Sequence, residues 1–302
     1  MQLTGYHIYY KFKESDKYEP INHLILLCSI LKWKKHFGKI NLLCNSEFLI
    51  EIKKYNIDIL YDNINTDILD NINFKDKINT FWSYPKIYGI YNINKLINEP
   101  FCVIDTDLWI DNPQPFYLDY DINFYHGELF SLTNKNNPYP DPKNWFNKEN
   151  FNLETLPHNC AIIFFNKNYK DIINIWFNYV SEIIENNIVY NCENKQVNAI
   201  FIEQRLLPIL LNKYNITYQD ILPNKYLTFN NGLLLNGNEW FPPLRFNDEN
   251  TKLIESIRHI WGAKKLYNDE FVRNIVLELT QENLKEFNLE KFKYLIEKIN
   301  ET

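Results

Sequence analysis

Residues 101–110 read FCVIDTDLWI. Phe101 to Ile104 form an unbroken apolar run, the pattern of a strand buried on both faces of a sheet. Asp105 and Asp107 then place two carboxylates, one residue apart, at its C-terminal end. Like charges this close repel and raise each other's pKa, so a chain tolerates them best where something positive sits between them. In open α/β sheets, ligands bind beyond the carboxyl ends of the strands. Which fold carries this run therefore decides whether the pair faces a ligand.

The flanking sequence points to an α/β fold. Residues 4–10 alternate as a first strand. Residues 21–36 read as a helix, with Leu24, Leu27, Cys28 and Leu31 at helical spacing. Strands are expected at 40–44 and 57–61, around a helix that Ser46 would N-cap and that runs to residue 55. This β-α-β-α-β order predicts a mostly parallel central sheet with helices on both faces. A helix over 85–96 leads into the 101–104 strand. Beyond it, 130–158 reads as a long loop, 122–125 and 160–165 as strands, and 168–186 and 195–214 as helices. Two charged helical segments, 269–279 and 282–299, end the chain. The expected organisation is one domain over 1–267 with a C-terminal helical extension over 268–302.

Composition narrows the class. The chain has 302 residues, 45% hydrophobic, ample for one large core. A formal net charge of -6 argues against a nucleic-acid partner, which usually meets a basic face. Five cysteines, an odd number without C-x-x-C spacing, include Cys28, Cys44, Cys102 and Cys160 in apolar runs. They read as reduced core residues, and Cys192 completes the set. The start of the chain lacks signal-peptide order, and its apolar stretches fall short of the roughly 20 residues that span a bilayer. The expectation is a cytoplasmic protein with no transmembrane segment, at most peripheral at the inner membrane face.

D-x-D alone is a weak signal. The chain carries a second such pair, Asp119 and Asp121, which reads as a solvated polar turn. Late in the chain, HIWGAKK sets His259, Gly262 and Lys265 in the order H-x-x-G-x-x-K, rare by chance with six His and seven Gly. An imidazole can complete a metal site begun by two carboxylates, glycine lets backbone approach a ligand, and lysine offers a point charge to a phosphate. The plainer reading is a histidine in a core-facing strand and a solvated lysine.

Together these motifs resemble the family 8 glycosyltransferases, the group of glycogenin and the bacterial lipooligosaccharide galactosyltransferases. WSYPKIYGIYNINKLINEPFCVIDTDLWI is similar to the family's basic helix entering its D-x-D strand, with Lys86 as the basic residue. HNCAIIFFN resembles its N-x-G strand through Asn159, and FIEQRLLPIL its Asp-Gln segment through Glu203 and Gln204. The chain departs from the pattern at Ala161 for Gly, at Glu203 for Asp, and in a first strand without a small-and-acidic nucleotide-base motif.

The resemblance implies a single GT-A, Rossmann-like domain and transfer of a sugar from a nucleotide diphosphate sugar, a UDP-sugar, to a glycan or other hydroxyl acceptor. It implies retention of anomeric configuration and a manganese (or magnesium) ion held by Asp105, Asp107 and His259. Asp105, Gly262, Lys265, Lys86 and Asn159 would bind the nucleotide sugar. Gln204, Glu203 and Lys265 would serve the chemistry. Two other readings fit parts of the pattern. One is a non-catalytic sugar-nucleotide binder on a degenerate transferase fold. The other is a haloacid dehalogenase-type phosphatase, whose motif normally has Thr or Val where Trp109 stands here.

Overall fold

The 101–104 run is an interior strand of a seven-stranded sheet. The computed structural model describes residues 3–12, 20–111, 113, 119–127, 151–152, 154–189, 196–221, 257–259, 277, 281–282, 284–285 and 292. The first half alternates as the sequence predicts: β1 (Thr4–Tyr9), α1 (Pro20–His36), β2 (Ile40–Cys44), α2 (Ser46–Lys53), β3 (Asn63–Asn65), α3 (Asp67–Asp70), α4 (Tyr84–Leu96) and β4 (Phe101–Ile104). Then follow β5 (Leu108–Ile110), β6 (Ile122–Gly127), β7 (His158–Phe165), α5 (Tyr169–Glu185), α6 (Gln196–Ile200), α7 (Leu206–Lys213), β8 (Tyr218–Asp220) and β9 (Ile257–His259).

The main sheet has the order β3-β2-β1-β4-β7-β6-β8, and β5 pairs with β9 in a separate ribbon. Pairings are parallel except at β7, which runs against both its neighbours. The architecture is therefore a Rossmann-like α/β sheet, mostly parallel. The strand order turns back between β1 and β4, which is where such sheets open a ligand crevice.

The period-two pattern of β4 divides the core. Cys102 and Ile104 pack with Leu24, Leu27 and Trp33 of α1 and with Phe48 and Ile52 of α2. Phe101 and Val103 face the other way, among Ile87 and Ile90 of α4, Ile172 and Trp176 of α5, and Leu207 of α7. Helices thus cover both faces, and burial on both faces is why β4 carries no polar residue before Asp105. Leu277, Leu284 and Phe292, from the expected C-terminal extension, are buried in the α1-side layer. The rest of that extension, and most of the 130–158 loop, lie outside the described residues. Cys28, Cys44, Cys102 and Cys160 are buried free thiols, and burial pushes the Cys44 thiol up to about 12.

Three local expectations are corrected. Residues 57–61 are not a strand: Asp58–Leu60 form a 3-10 turn closed by the Tyr61 N–H on the Asp58 carbonyl, and β3 begins at Asn63. Ser46 is the first residue of α2 and not its cap. Asn45 takes the cap position, while Asp70 accepts from both the Ser46 N–H (2.8 Å) and hydroxyl (2.6 Å). The expected 195–214 helix is interrupted, its middle widening to a π turn over Phe201–Arg205. Pro208 explains the break, because a proline removes the hydrogen bond to residue 204 and its ring crowds that carbonyl.

Close approach of α1 to β1 rests on Gly5. A Cβ there would lie 2.5 Å from Trp33 Cε2, and the indole is held in place by its Nε1–H on the Lys39 carbonyl at 2.8 Å. Gly5→Ala should therefore cost about 1–3 kcal/mol through overpacking. Urea unfolding measures it, and an unchanged midpoint would contradict the packing described.

Candidate active site at the end of the fourth strand

The D-x-D stretch is a tight turn where the chain leaves one sheet for the other. The Asp105 N–H donates to the Ala161 carbonyl of β7 at 2.8 Å, and the Leu108 N–H closes back onto the Asp105 carbonyl at 3.3 Å. Asp105 is thus the last residue tied to the main sheet, and Leu108 is the first of the ribbon. The ribbon register sets Leu108 opposite His259. Backbone pairing therefore brings the start of the H-x-x-G-x-x-K segment alongside the residue that follows Asp107. Gly262 and Lys265 lie outside the described residues.

The positive charge beside Asp105 is Lys86. Its ammonium lies 2.6 Å from Asp105 Oδ1, 2.9 Å from Glu203 Oε1 and 2.6 Å from the Cys160 carbonyl. An ammonium has three hydrogens, and these three acceptors match them. The Lys86 side chain is 11% exposed, Glu203 5% and Asp105 35%, so the charge grades from buried to open towards Asp105. Burial opposes the lysine's charge, but the two carboxylates outweigh it and raise its pKa above the ordinary lysine range. Burial, joined by the nearby Asp105 charge, raises Glu203 despite Lys86. Two carboxylates share one cation, and that leaves a net negative site.

Two more of the expected residues adjoin this cluster. Asn159, nearly buried on β7, accepts the Ala161 N–H on its Oδ1 at 2.9 Å. Gln204 is half-buried in the π turn, next to Glu203. That turn is anchored on the α5 side by the Trp176 indole N–H, which donates to the Ile202 carbonyl at 2.8 Å. Lys86 sits one turn into α4, whose preceding residue Ser83 donates to the Ala199 carbonyl at 2.7 Å. α4, β4, β7 and the π turn therefore converge on one ammonium. Among the described residues no group of three or more His, Cys, Asp or Glu side chains is arranged to hold a metal. Of the expected ligand set, His259 is described through its backbone alone.

Asp119 and Asp121 occupy the opposite edge of the sheet, since Asp121 precedes Ile122, which pairs with Phe165 as Phe101 does. Asp119 is exposed, but the solvated-turn reading fails for Asp121. Its Oδ2 accepts from the Thr217 N–H (3.0 Å) and hydroxyl (2.6 Å), and its Oδ1 from Asn168 at 2.8 Å. It is a structural anchor for β8 and the start of α5. A polar cavity of about 560 Å³ beside it is lined by Lys167, Asn168 and Lys170, away from Asp105.

Sequence reading missed His7. It is fully buried in β1, with Nδ1 2.8 Å from the Tyr61 hydroxyl and Nε2 3.0 Å from the Ser29 hydroxyl. A histidine inside an apolar strand was the available signal. Sequence reading also missed the buried Lys86–Glu203 pair, signalled by a lone Glu inside FIEQRLLPIL.

No protein-family model matches the chain, and no curated protein does. Solved structures similar to it include the galactosyltransferase LgtC in complex with donor and acceptor sugar analogs. That match has 12% identity, a TM-score of 0.47, and covers 93% of this chain and 96% of that one. The apo structure of the bifunctional glycosyltransferase WbbM matches at 14% identity and TM-score 0.47, over 96% of this chain and 51% of that one. A glycosyltransferase involved in glycosylation of the major capsid of PBCV-1 matches at 13% identity and TM-score 0.28, over 65% of this chain and 74% of that one.

Two outcomes follow from the geometry. Lys86→Met should destabilise by roughly 3–5 kcal/mol, because it leaves Glu203 buried without a cation, and adding Glu203→Leu should recover much of that loss. Chemical denaturation of the two variants measures this, and simple additivity of the two losses would contradict the pairing. The second outcome concerns pH. Burial lowers the His7 pKa from 6.5 to about 3, against the opposing pull of Asp107. Between those values the unfolded chain binds a proton that the folded chain refuses, so this contribution falls as pH falls. His7→Gln can keep both hydrogen bonds without titrating. Its stability should decline less steeply than wild type below pH 6.5, and parallel profiles would contradict the burial.

Proposed function

We propose that this chain is a metal-dependent glycosyltransferase of the family 8 type, moving a sugar from a UDP-sugar to a hydroxyl acceptor with retention. The observation that carries the reading is the ribbon register. It sets the backbone of His259 opposite Leu108, so the start of the late motif lies beside the D-x-D turn, which comes far earlier in the sequence. Such a meeting is what a shared ligand would require.

Two carboxylates and an imidazole form a donor set that suits manganese or magnesium. Asp105, Asp107 and His259 would hold the ion, which when bound neutralises charge on the departing diphosphate. Lys265 adds a point charge to that diphosphate, and Gly262 admits it close to the backbone. Asn159 and Glu203 would orient sugar hydroxyls, with Lys86 holding Asp105 and Glu203 in place. Gln204 stabilises charge developing at the anomeric carbon without bonding to it. The buried free thiols favour a cytoplasmic setting. Among the described residues no helix is long and apolar enough to cross a membrane.

Titration calorimetry with UDP tests the reading. Binding should need manganese or magnesium and vanish with chelator. Asp107→Asn should fold, yet lose the metal-dependent binding and at least about a hundredfold in transfer rate. Equal UDP affinity with and without metal would overturn the proposal.

A further inference from the structure

The β5–β9 ribbon is a small element standing apart from the main sheet, and something must hold it in register. Leu108 and Ile110 are buried in the core layer beneath α1. Apolar burial keeps the ribbon down, but it is non-directional and does not by itself fix where the strand stops. A one-residue slip of a two-stranded ribbon would invert every side chain. Two contacts at the end of β5 are directional: His36 of α1 hydrogen-bonds the Asp111 backbone, and an ion pair holds the Asp111 side chain. Lys32, buried on the inner side of α1, places its ammonium 3.1 Å from Oδ1 of Asp111, the residue just after β5. Their side chains are 9% and 27% exposed, so solvent screens the pair little. Asp105 is tied to β7 at one end of the arm, and Asp111 to α1 at the other. The stretch 105–111, which contains Asp107, is held between two fixed points.

We propose that Lys32 is a positioning residue for the candidate metal site. Through Asp111 it fixes where β5 lies along α1, and so where Asp107 stands beside the backbone of His259. This inference rests on the metal reading given above, but the lock itself can be tested without metal. Replacement of a buried ion pair by apolar residues of similar volume is often neutral in stability. That separates positioning from simple scaffolding.

The test compares wild type with Lys32→Met/Asp111→Leu. In the metal-free protein, backbone amides of 108–110 and 257–259 should exchange hydrogen at least tenfold faster in the double variant, while its unfolding midpoint stays level. Manganese-dependent UDP affinity should fall at least tenfold. Lys32→Arg, which keeps the cation, should retain wild-type exchange and affinity. If the double variant does not fold, Asp111→Asn serves instead, with faster exchange expected in the same two segments. Unchanged exchange in these variants would overturn the lock. Faster exchange with unchanged manganese-dependent affinity would overturn its role in the site. Faster exchange beside a wild type that binds UDP without metal would uphold the lock and sink the metal reading.

Discussion

A single ammonium, that of Lys86, joins the end of β4, the start of β7 and the π turn before α7. Burying a charge costs several kcal/mol after relaxation, so the lysine can lie inside the fold when its partners are correctly placed. Each of those partners belongs to a different element. Docking of α4 against the sheet, the path of the widened helix and the position of Asp105 are therefore coupled through one group. The cluster remains net negative, with two carboxylates to one cation. Its most open member is Asp105, just past the C-terminal end of β4.

The turn at 105–108 carries the second constraint. It ends the main sheet, starts the ribbon and holds both aspartates within one hydrogen-bonded turn. Its placement beside β1 follows from strand order: it lies at the reversal between β1 and β4, the point where sheets of this kind bind ligands. The other D-x-D pair shows how little the short pattern means alone. Asp121 sits at the opposite edge, bonded to Thr217 and Asn168, where it secures backbone. Identical letters perform different tasks because the sheet has two ends.

Departures from expectation have local causes. The π turn follows from Pro208, yet a helical period reads the same with or without it, since apolar residues flank Glu203, Gln204 and Arg205 on both sides. Ile57 and Ile59 alternate like a strand, but Ile57 is buried and Ile59 exposed because a 3-10 turn also separates them. The hydrogen bonds from Ser46, at the start of α2, to Asp70 join residues 24 apart, a distance that no local signal reports.

Lys86, Asn159, Glu203 and Gln204 were candidates only through the family resemblance; what the sequence determined by itself was the alternating β-α order, the two-sided burial of 101–104 and the paired aspartates at its end. These are legible because periodicity and residue type are local properties, set by side-chain direction along a strand or helix. Tertiary structure alone decided that β7 runs antiparallel, that Lys86 is shared between Asp105 and Glu203, and that Lys32 grips Asp111. It also decided that Asp121 is an anchor and that His7 is buried and neutral. All of these depend on contacts between segments far apart in the chain. Such contacts follow from how layers pack and where burial leaves a charge in need of a partner, and neither is written in any one stretch of residues.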